Sequence, residues 1–424
     1  MKFLDTIVKV GLSSISAIII TAIVIKLISI NYGPQGVGEF GLVRDSLKLF
    51  IFAGAFSSTN AILNGLNSDN ITNKQDYLSL IFLIYSMIIF PVGVAAFLYL
   101  KQNFSLINYD INSVFIGIFI IFCGSLTQIL SAILNAYNKI NLISANQFIA
   151  YFISLIVLAF FLGSTFIIYF LILYFFWLII SFTQTYQMKL LPQKNIFNPT
   201  LLNPSYLRQI ISFAGVNLTT TILGILTLLS IKTFTIVNSD VAMLGQLEAG
   251  LTPSLVYMAA LSSGLGAYII PKYSVKKNKV ELDRILKILL CIMTLLVLLI
   301  KLFKTQIIGV LFSSDFLEAA NILGIMISSD LLKIFTVTLT FVFLSDKKLW
   351  EFFVISTIFN IFFYIGYIIF WDYFNITSAA YSYVISNLIM FIVCIFYSFK
   401  NRYIENKITV GCYLLIFTGL LFIQ

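Results

Sequence analysis

The hydrophobic pattern along this chain consists of long continuous runs, without the period-two alternation of half-buried strands. Apolar stretches near 7–30, 39–66, 77–100, 112–135, 144–162, 165–187, 207–231, 242–271, 284–303, 317–344, 350–371 and 376–399 are separated by short polar turns. A run of about 20 apolar residues is what a helix needs to cross a hydrocarbon core. Membrane β-barrels read instead as alternating segments of about ten residues, so that class is excluded. The pattern predicts an all-α polytopic membrane protein of about twelve transmembrane helices. A last apolar stretch, 408–423, is short for a span and reads as a tilted, interfacial or thirteenth helix. The first run is longer than a signal-peptide core and lacks a small-x-small cleavage site, so it is expected to be a retained helix.

Loop charges test that count. One set of alternate loops carries Lys2, Lys9, Lys74, Lys139, Lys189, Lys194, Arg208, Lys272, Lys276, Lys277, Lys279, Arg284, Lys287, Lys347, Lys348, Lys400, Arg402 and Lys407, and the other only Lys101 and Lys304. The positive-inside rule places the crowded set, and with it the N-terminus, on the cytoplasmic side. The longest connection, 188–206 with Pro192, Pro199 and Pro204, falls at the midpoint on that side. It reads as a linker between a six-helix lobe over 1–187 and another over 207–399, with a tail from 400 to 424. An offset of 204 residues lays Gly11 on Gly215 and Gly41 on Gly245, brings Lys26 within two residues of Lys232, and sets Arg44 on Glu248.

Composition adds to this picture mainly through what is rare. Of the 424 residues 60% are hydrophobic and 10% charged, mean hydropathy is +1.01, and there is no histidine. The commonest metal ligand and near-neutral acid/base is therefore missing. Cys123, Cys291, Cys394 and Cys412 lie inside apolar runs without CxxC spacing, so neither a disulfide framework nor a metal site is expected. No phosphate-cradling Gly-rich loop indicates ATP hydrolysis. With short loops and no His-dependent nucleophile, the chain reads as a transporter and not an enzyme. The net charge of +9 speaks to topology here, and no nucleic-acid partner is expected.

The candidate chemistry lies in charges placed within the spans, each costing about 2.5–3.5 kcal/mol on insertion scales and so usually facing a bundle interior or a wet cavity. With residues 31–38 read as a turn, Lys26 lies about five residues before it and Arg44 about six after. Both would then sit roughly 7–9 Å inside one membrane face. Arg44 and Lys48 share a helix face, and Asp45 is within reach of Lys48. Lys232 and Glu248 flank the later hairpin at the same depth. These five cavity candidates, Lys26, Arg44, Lys48, Lys232 and Glu248, suit an anionic substrate, against the plainer readings that the lysines snorkel and Arg44 pairs with Asp45. Asp330 and Lys333 form an i,i+3 pair near the middle of a span, either neutralising each other or, with Asp45, coupling transport to an ion. Pro91, Pro253, Gly264 and Gly266 interrupt spans, and Asn60, Asn64, Gln128, Asn135, Asn217, Gln246 and Tyr257 add polar groups suited to interhelix hydrogen bonds, the default, or to sugar hydroxyls.

The run from Tyr32 to Gly41 (Tyr-Gly-Pro-Gln-Gly-Val-Gly-Glu-Phe-Gly), Arg44, Ala53-Gly54-Ala55, Asn64-Gly65 and the stretch from Ser329 to Lys333 resemble the polysaccharide-export flippases of the multidrug/oligosaccharidyl-lipid/polysaccharide superfamily, in particular the Wzx-type branch and the flippases of O-antigen and enterobacterial common antigen repeat units. The resemblance implies two six-helix lobes around a central cavity, alternating access, and an undecaprenyl-pyrophosphate-linked oligosaccharide carried between leaflets of the bacterial inner membrane. It also implies membrane lipid as surroundings, a polysaccharide polymerase and chain-length proteins as partners, and no cofactor beyond coupling to H+, Na+ or the membrane potential. A lipid II flippase would share both the fold and the charge logic, and a drug/ion antiporter the fold, although a cavity dominated by lysine and arginine disfavours cationic drugs. An O-antigen polymerase or ligase would need large periplasmic loops, which this chain lacks.

Overall fold

The structure is a computed structural model that describes residues 2–56, 58–66, 73–137, 139–160, 166–192, 204–275, 279–346, 348–404 and 407–422. The middle of the expected linker, 193–203, and Lys194, Lys276, Lys277 and Lys347 lie outside the described residues. Among those described, every regular element is a helix: α1 (Lys2–Gly54), α2 (Ser58–Leu66), α3 (Lys74–Ser105), α4 (Ile111–Ala136), α5 (Ile140–Phe160), α6 (Phe166–Gln187), α7 (Pro204–Asn238), α8 (Val241–Val275), α9 (Lys279–Leu302), α10 (Lys304–Leu311), α11 (Leu317–Met326), α12 (Asp330–Ser345), α13 (Leu349–Phe374), α14 (Ser378–Lys400) and α15 (Lys407–Phe422). The expected apolar runs all appear as helices, and the chain is an all-α polytopic membrane protein. Eight helical stretches among the described residues are long and apolar enough to cross a membrane, one of them containing both α13 and α14.

The expected turn at 31–38 is compressed to one residue. Helix geometry runs through α1 except at Gly33, with φ 61° and ψ −156°. That positive φ is a conformation glycine adopts freely, and Pro34 has its φ preset for the helical turn that follows. Lys26 therefore lies seven residues before the break and Arg44 eleven after it, about 10 Å and about 16 Å of helix. The eight-residue turn from which equal depths were counted is absent, because the residues expected to form it are themselves helical.

By contact the chain forms two compact units, one of residues 1–38 with 230–424 and one of residues 39–229. In the second unit, α2, α3 and α4 enclose a core of Ala61, Ile62, Tyr77, Leu78, Ile81, Ile129 and Ile133, joined by Tyr206 and Ile210 from the start of α7. Asn73 caps α3 by accepting from the backbone N–H groups of Gln75 and Asp76, satisfying donors the helix itself cannot. Asn146 and Gln184 exchange a reciprocal pair of 2.8 Å amide hydrogen bonds between α5 and α6.

In the first unit, α8 packs against α11 and α12, and α13 pairs with α14. The Gly33 break brings Pro34 against α8, where a Cβ on Gly245 would collide with the Pro34 carbonyl. Tyr403 packs edge-on against Phe343 and donates to the Asp346 carboxylate. Burial, and then that carboxylate, push the Tyr403 hydroxyl well above its ordinary pKa.

The apolar tail is helix α15, and its polar contacts fix its course. Thr409 donates to the Asp283 carboxylate at 2.7 Å and Tyr413 to the Leu286 carbonyl at 2.7 Å, both near the start of α9. At the other end of α9, Lys301 donates to the Leu420 carbonyl at 2.6 Å. The tail thus runs parallel to α9 for nearly its whole length. A reporter fused after Phe422 should read on the same membrane face as one inserted after Asp240, and opposite to one after Lys139. A tail lying in the interface would put the Phe422 fusion with Lys139.

Candidate functional site

Seven of the charged groups named from the sequence sit in three arrangements. The most enclosed is built on α12. A single 3₁₀ turn, Ile327–Ser329, interrupts the span between α11 and α12, and Asp330 follows it with no exposed surface. A mid-span 3₁₀ turn is common at hinges and strained sites. The Asp330 carboxylate accepts three hydroxyl hydrogen bonds: from Ser254 at 2.5 Å and from Tyr257, both on α8, and from Tyr383 on α14 at 3.0 Å. Lys333, one turn further along α12, donates to the same Tyr383 hydroxyl at 2.6 Å. Its ammonium also lies 5.2 Å from the Phe359 ring centre and 4.7 Å from that of Tyr383, a cation–π placement. The expected Asp330–Lys333 pair is thus joined through a tyrosine oxygen. Next to it, Asn387 donates to Ser329 at 3.0 Å.

The second arrangement is an ion pair between Lys232 on α7 and Glu248 on α8, both buried. Each lies about two turns from the α7–α8 connection, as sequence counting expected, but they meet each other directly. The third is on the arm of α1 beyond the break. Arg44 grips Asp45 with two donors, Nε at 2.7 Å and Nη2 at 3.2 Å, and Lys48 stands 3.9 Å from the same carboxylate. Lys48 is half-exposed, whereas Asp45 is buried.

Lys26 joins none of these. Its ammonium donates to the carbonyls of Gly309, at 2.9 Å, and Phe312. These close the C-terminal end of α10, where unsatisfied carbonyls attract a cation. Gln246 holds the same connection, donating to the Asp315 carbonyl at 2.6 Å and accepting from the Ala319 N–H at 3.3 Å.

Sequence reasoning named Asp330 and Lys333 but not Tyr383 or Ser254. A signal was present in α14: Ser378, Ser382 and Ser386 recur every four residues, and Tyr383 and Asn387 share that spacing beside them. This is a polar stripe on an otherwise apolar helix, and polar stripes in membrane helices face protein. For the Lys232–Glu248 pair, Lys232→Met or Glu248→Gln alone should lower stability by about 3–5 kcal/mol by stranding a buried charge, and the double variant should recover most of it. Thermal unfolding of the purified protein measures this; a loss in the double variant equal to the sum of the two single losses would show that the two do not act as a pair.

No protein-family model matches this sequence, and no curated protein sequence matches it. Solved structures do. The lipid II flippase MurJ in its inward closed conformation superposes with a TM-score of 0.73 at 15% identity, covering 97% of this chain and 98% of its own. A MATE transporter of Vibrio cholerae gives 0.69 at 13% identity, with 97% and 99% covered. A MOP superfamily transporter of Pyrococcus furiosus, described as having a binding pocket of reversed polarity, gives 0.69 at 14% identity, with 94% and 95% covered. From end to end the chain has the fold of MOP superfamily transporters and flippases.

Proposed function

We propose that the chain is a flippase for an undecaprenyl-pyrophosphate-linked oligosaccharide, moving the repeat unit from the cytoplasmic to the periplasmic leaflet of a bacterial inner membrane by alternating access. The observation that carries this reading is a fold shared with a lipid II flippase, in which Arg44 and Lys48 stand on one turn of a membrane helix beside the Asp45 carboxylate. A pyrophosphate in a low-dielectric site needs cations, and a guanidinium suits two-point contact with phosphate oxygens. Asp45 presets the Arg44 fork, and Lys48 supplies a second, mobile charge. Lys232 is held by Glu248 and Lys26 by the end of α10, so the reading rests on Arg44 and Lys48. Partners follow from the substrate: the lipid that carries the glycan, and a polymerase with its chain-length protein beyond it. Energy comes from an ion gradient, the membrane potential or consumption of the product.

A lipid II-type substrate is the second reading, favoured by the MurJ likeness itself. A drug antiporter is disfavoured by cations that would repel cationic drugs. Complementation of flippase-deficient strains that differ in their repeat unit, with surface polysaccharide as readout, separates the two lipid-linked substrates. Rescue of a lipid II flippase-deficient strain alone would overturn the oligosaccharide reading.

Arg44 provides a sharper test. Arg44→Ala leaves Asp45 with Lys48 as its ionic neighbour, so the protein should accumulate normally while export falls at least about tenfold; Arg44→Lys keeps the charge without the fork and should retain part of it. Full export by the alanine variant would assign Arg44 to holding Asp45 alone.

A further inference from the structure

The Asp330 cluster is wired in a way that neutralising a buried charge does not require. Direct contact would suffice, as between Lys232 and Glu248. Here the Tyr383 hydroxyl stands between ammonium and carboxylate, accepting at 2.6 Å from Lys333 and donating at 3.0 Å to Asp330. We propose that Tyr383 is a proton relay between Lys333 and Asp330, and that the proton is the ion to which this chain is coupled. The proposal rests on the transporter reading above and adds the ion and the residue that moves it.

The step balances within three side chains. One N–H bond of the Lys333 ammonium breaks as an O–H bond forms on Tyr383, and the original Tyr383 O–H breaks as one forms on Asp330 Oδ1. Ammonium and carboxylate become amine and carboxylic acid, Tyr383 is unchanged, and the net charge is constant. A proton then taken from solution by the Lys333 amine leaves the cluster one proton richer, and its release from Asp330 resets it. Both states stay hydrogen-bonded, because every group on the carboxylate is a hydroxyl. A hydroxyl that donates to the ion can accept from the acid by rotating. Backbone N–H donors could not reverse in this way.

The surroundings favour a proton over an alkali cation. The titratable groups facing Asp330 are Tyr257 from α8, Tyr383 from α14, and Lys333 on α12 itself. Packed beside them, α13 contributes the rings of Phe359 and Phe363 against Tyr383. From α9 and α15, Lys301 and Tyr413 are directed to the Leu420 and Leu286 carbonyls. A metal cation on Asp330 would have to displace hydroxyl hydrogens and lie close to a tethered ammonium, a like-charge contact that costs heavily at low dielectric. A proton meets neither obstacle.

Infrared difference spectra of the full-length protein in lipid nanodiscs, recorded across a pH step, read the relay without any substrate. The wild type should show a protonated-carboxyl carbonyl band that is absent in Asp330→Asn and shifted or lost in Tyr383→Phe, which keeps the ring contacts and removes only the hydroxyl. If Tyr383→Phe does not accumulate, Lys333→Met tests the relay from its other end and should shift the same band. No band in the wild type, an unaltered band in the variant examined, or a band that responds to Na+ at fixed pH overturns the relay. A relay-dependent band in a protein that complements no flippase-deficient strain supports the relay while rejecting the substrate.

Discussion

A charge inside hydrocarbon must be matched by a partner brought to it, and in this chain that requirement decides which helices meet. Asp330 draws hydroxyls from α8 and α14 onto α12. Lys232 ties α7 to α8 through Glu248, and Lys301 ties α15 to α9 through a backbone carbonyl. Apolar faces cannot supply this selectivity, since lipid tails solvate Leu and Phe as well as a neighbouring helix does. The polar ties specify the pairings, and close approaches such as Pro34 on Gly245 complete them.

The same requirement separates what the sequence made legible from what it did not. Helices were readable because spanning length and apolar continuity are properties of one segment: both ends of α4 and α6, and the C-terminal end of α12, fall within a residue of the expected ones. The short helix α10 was not, since the eight residues from Lys304 to Leu311 carry no spanning signal. Gly33 and Pro34 announced a break, but not that helix would resume at once on its far side. That difference moved Arg44 more than a helical turn further from the connection than counting had placed it.

Of the candidate site, local spacing revealed only neighbours on one helix. Arg44, Asp45 and Lys48 were legible as a group because they share a turn. Lys333 and Tyr383 are fifty positions apart, and only packing of α12 on α14 unites them. Lys26 shows the opposite limit. Its depth suggested a cavity, yet the groups that receive it are backbone carbonyls, which no pattern of side chains displays.

The two buried charge pairs of one compact unit also differ in what they allow. Lys232 and Glu248 touch, so transfer of a proton between them would exchange a strong ionic contact for a weaker neutral one. Asp330 and Lys333 communicate through a group that donates and accepts in equal measure, within a set of hydroxyls that can all turn. Low dielectric makes an unsatisfied polar group costly, so a buried cluster can have two states only if each leaves every member bonded. The first pair is suited to fixing helix positions. Only the second joins its charges through reversible donors around a fully buried Asp330, and it sits directly after the 3₁₀ turn, where the backbone of its span departs from the α-helical ladder.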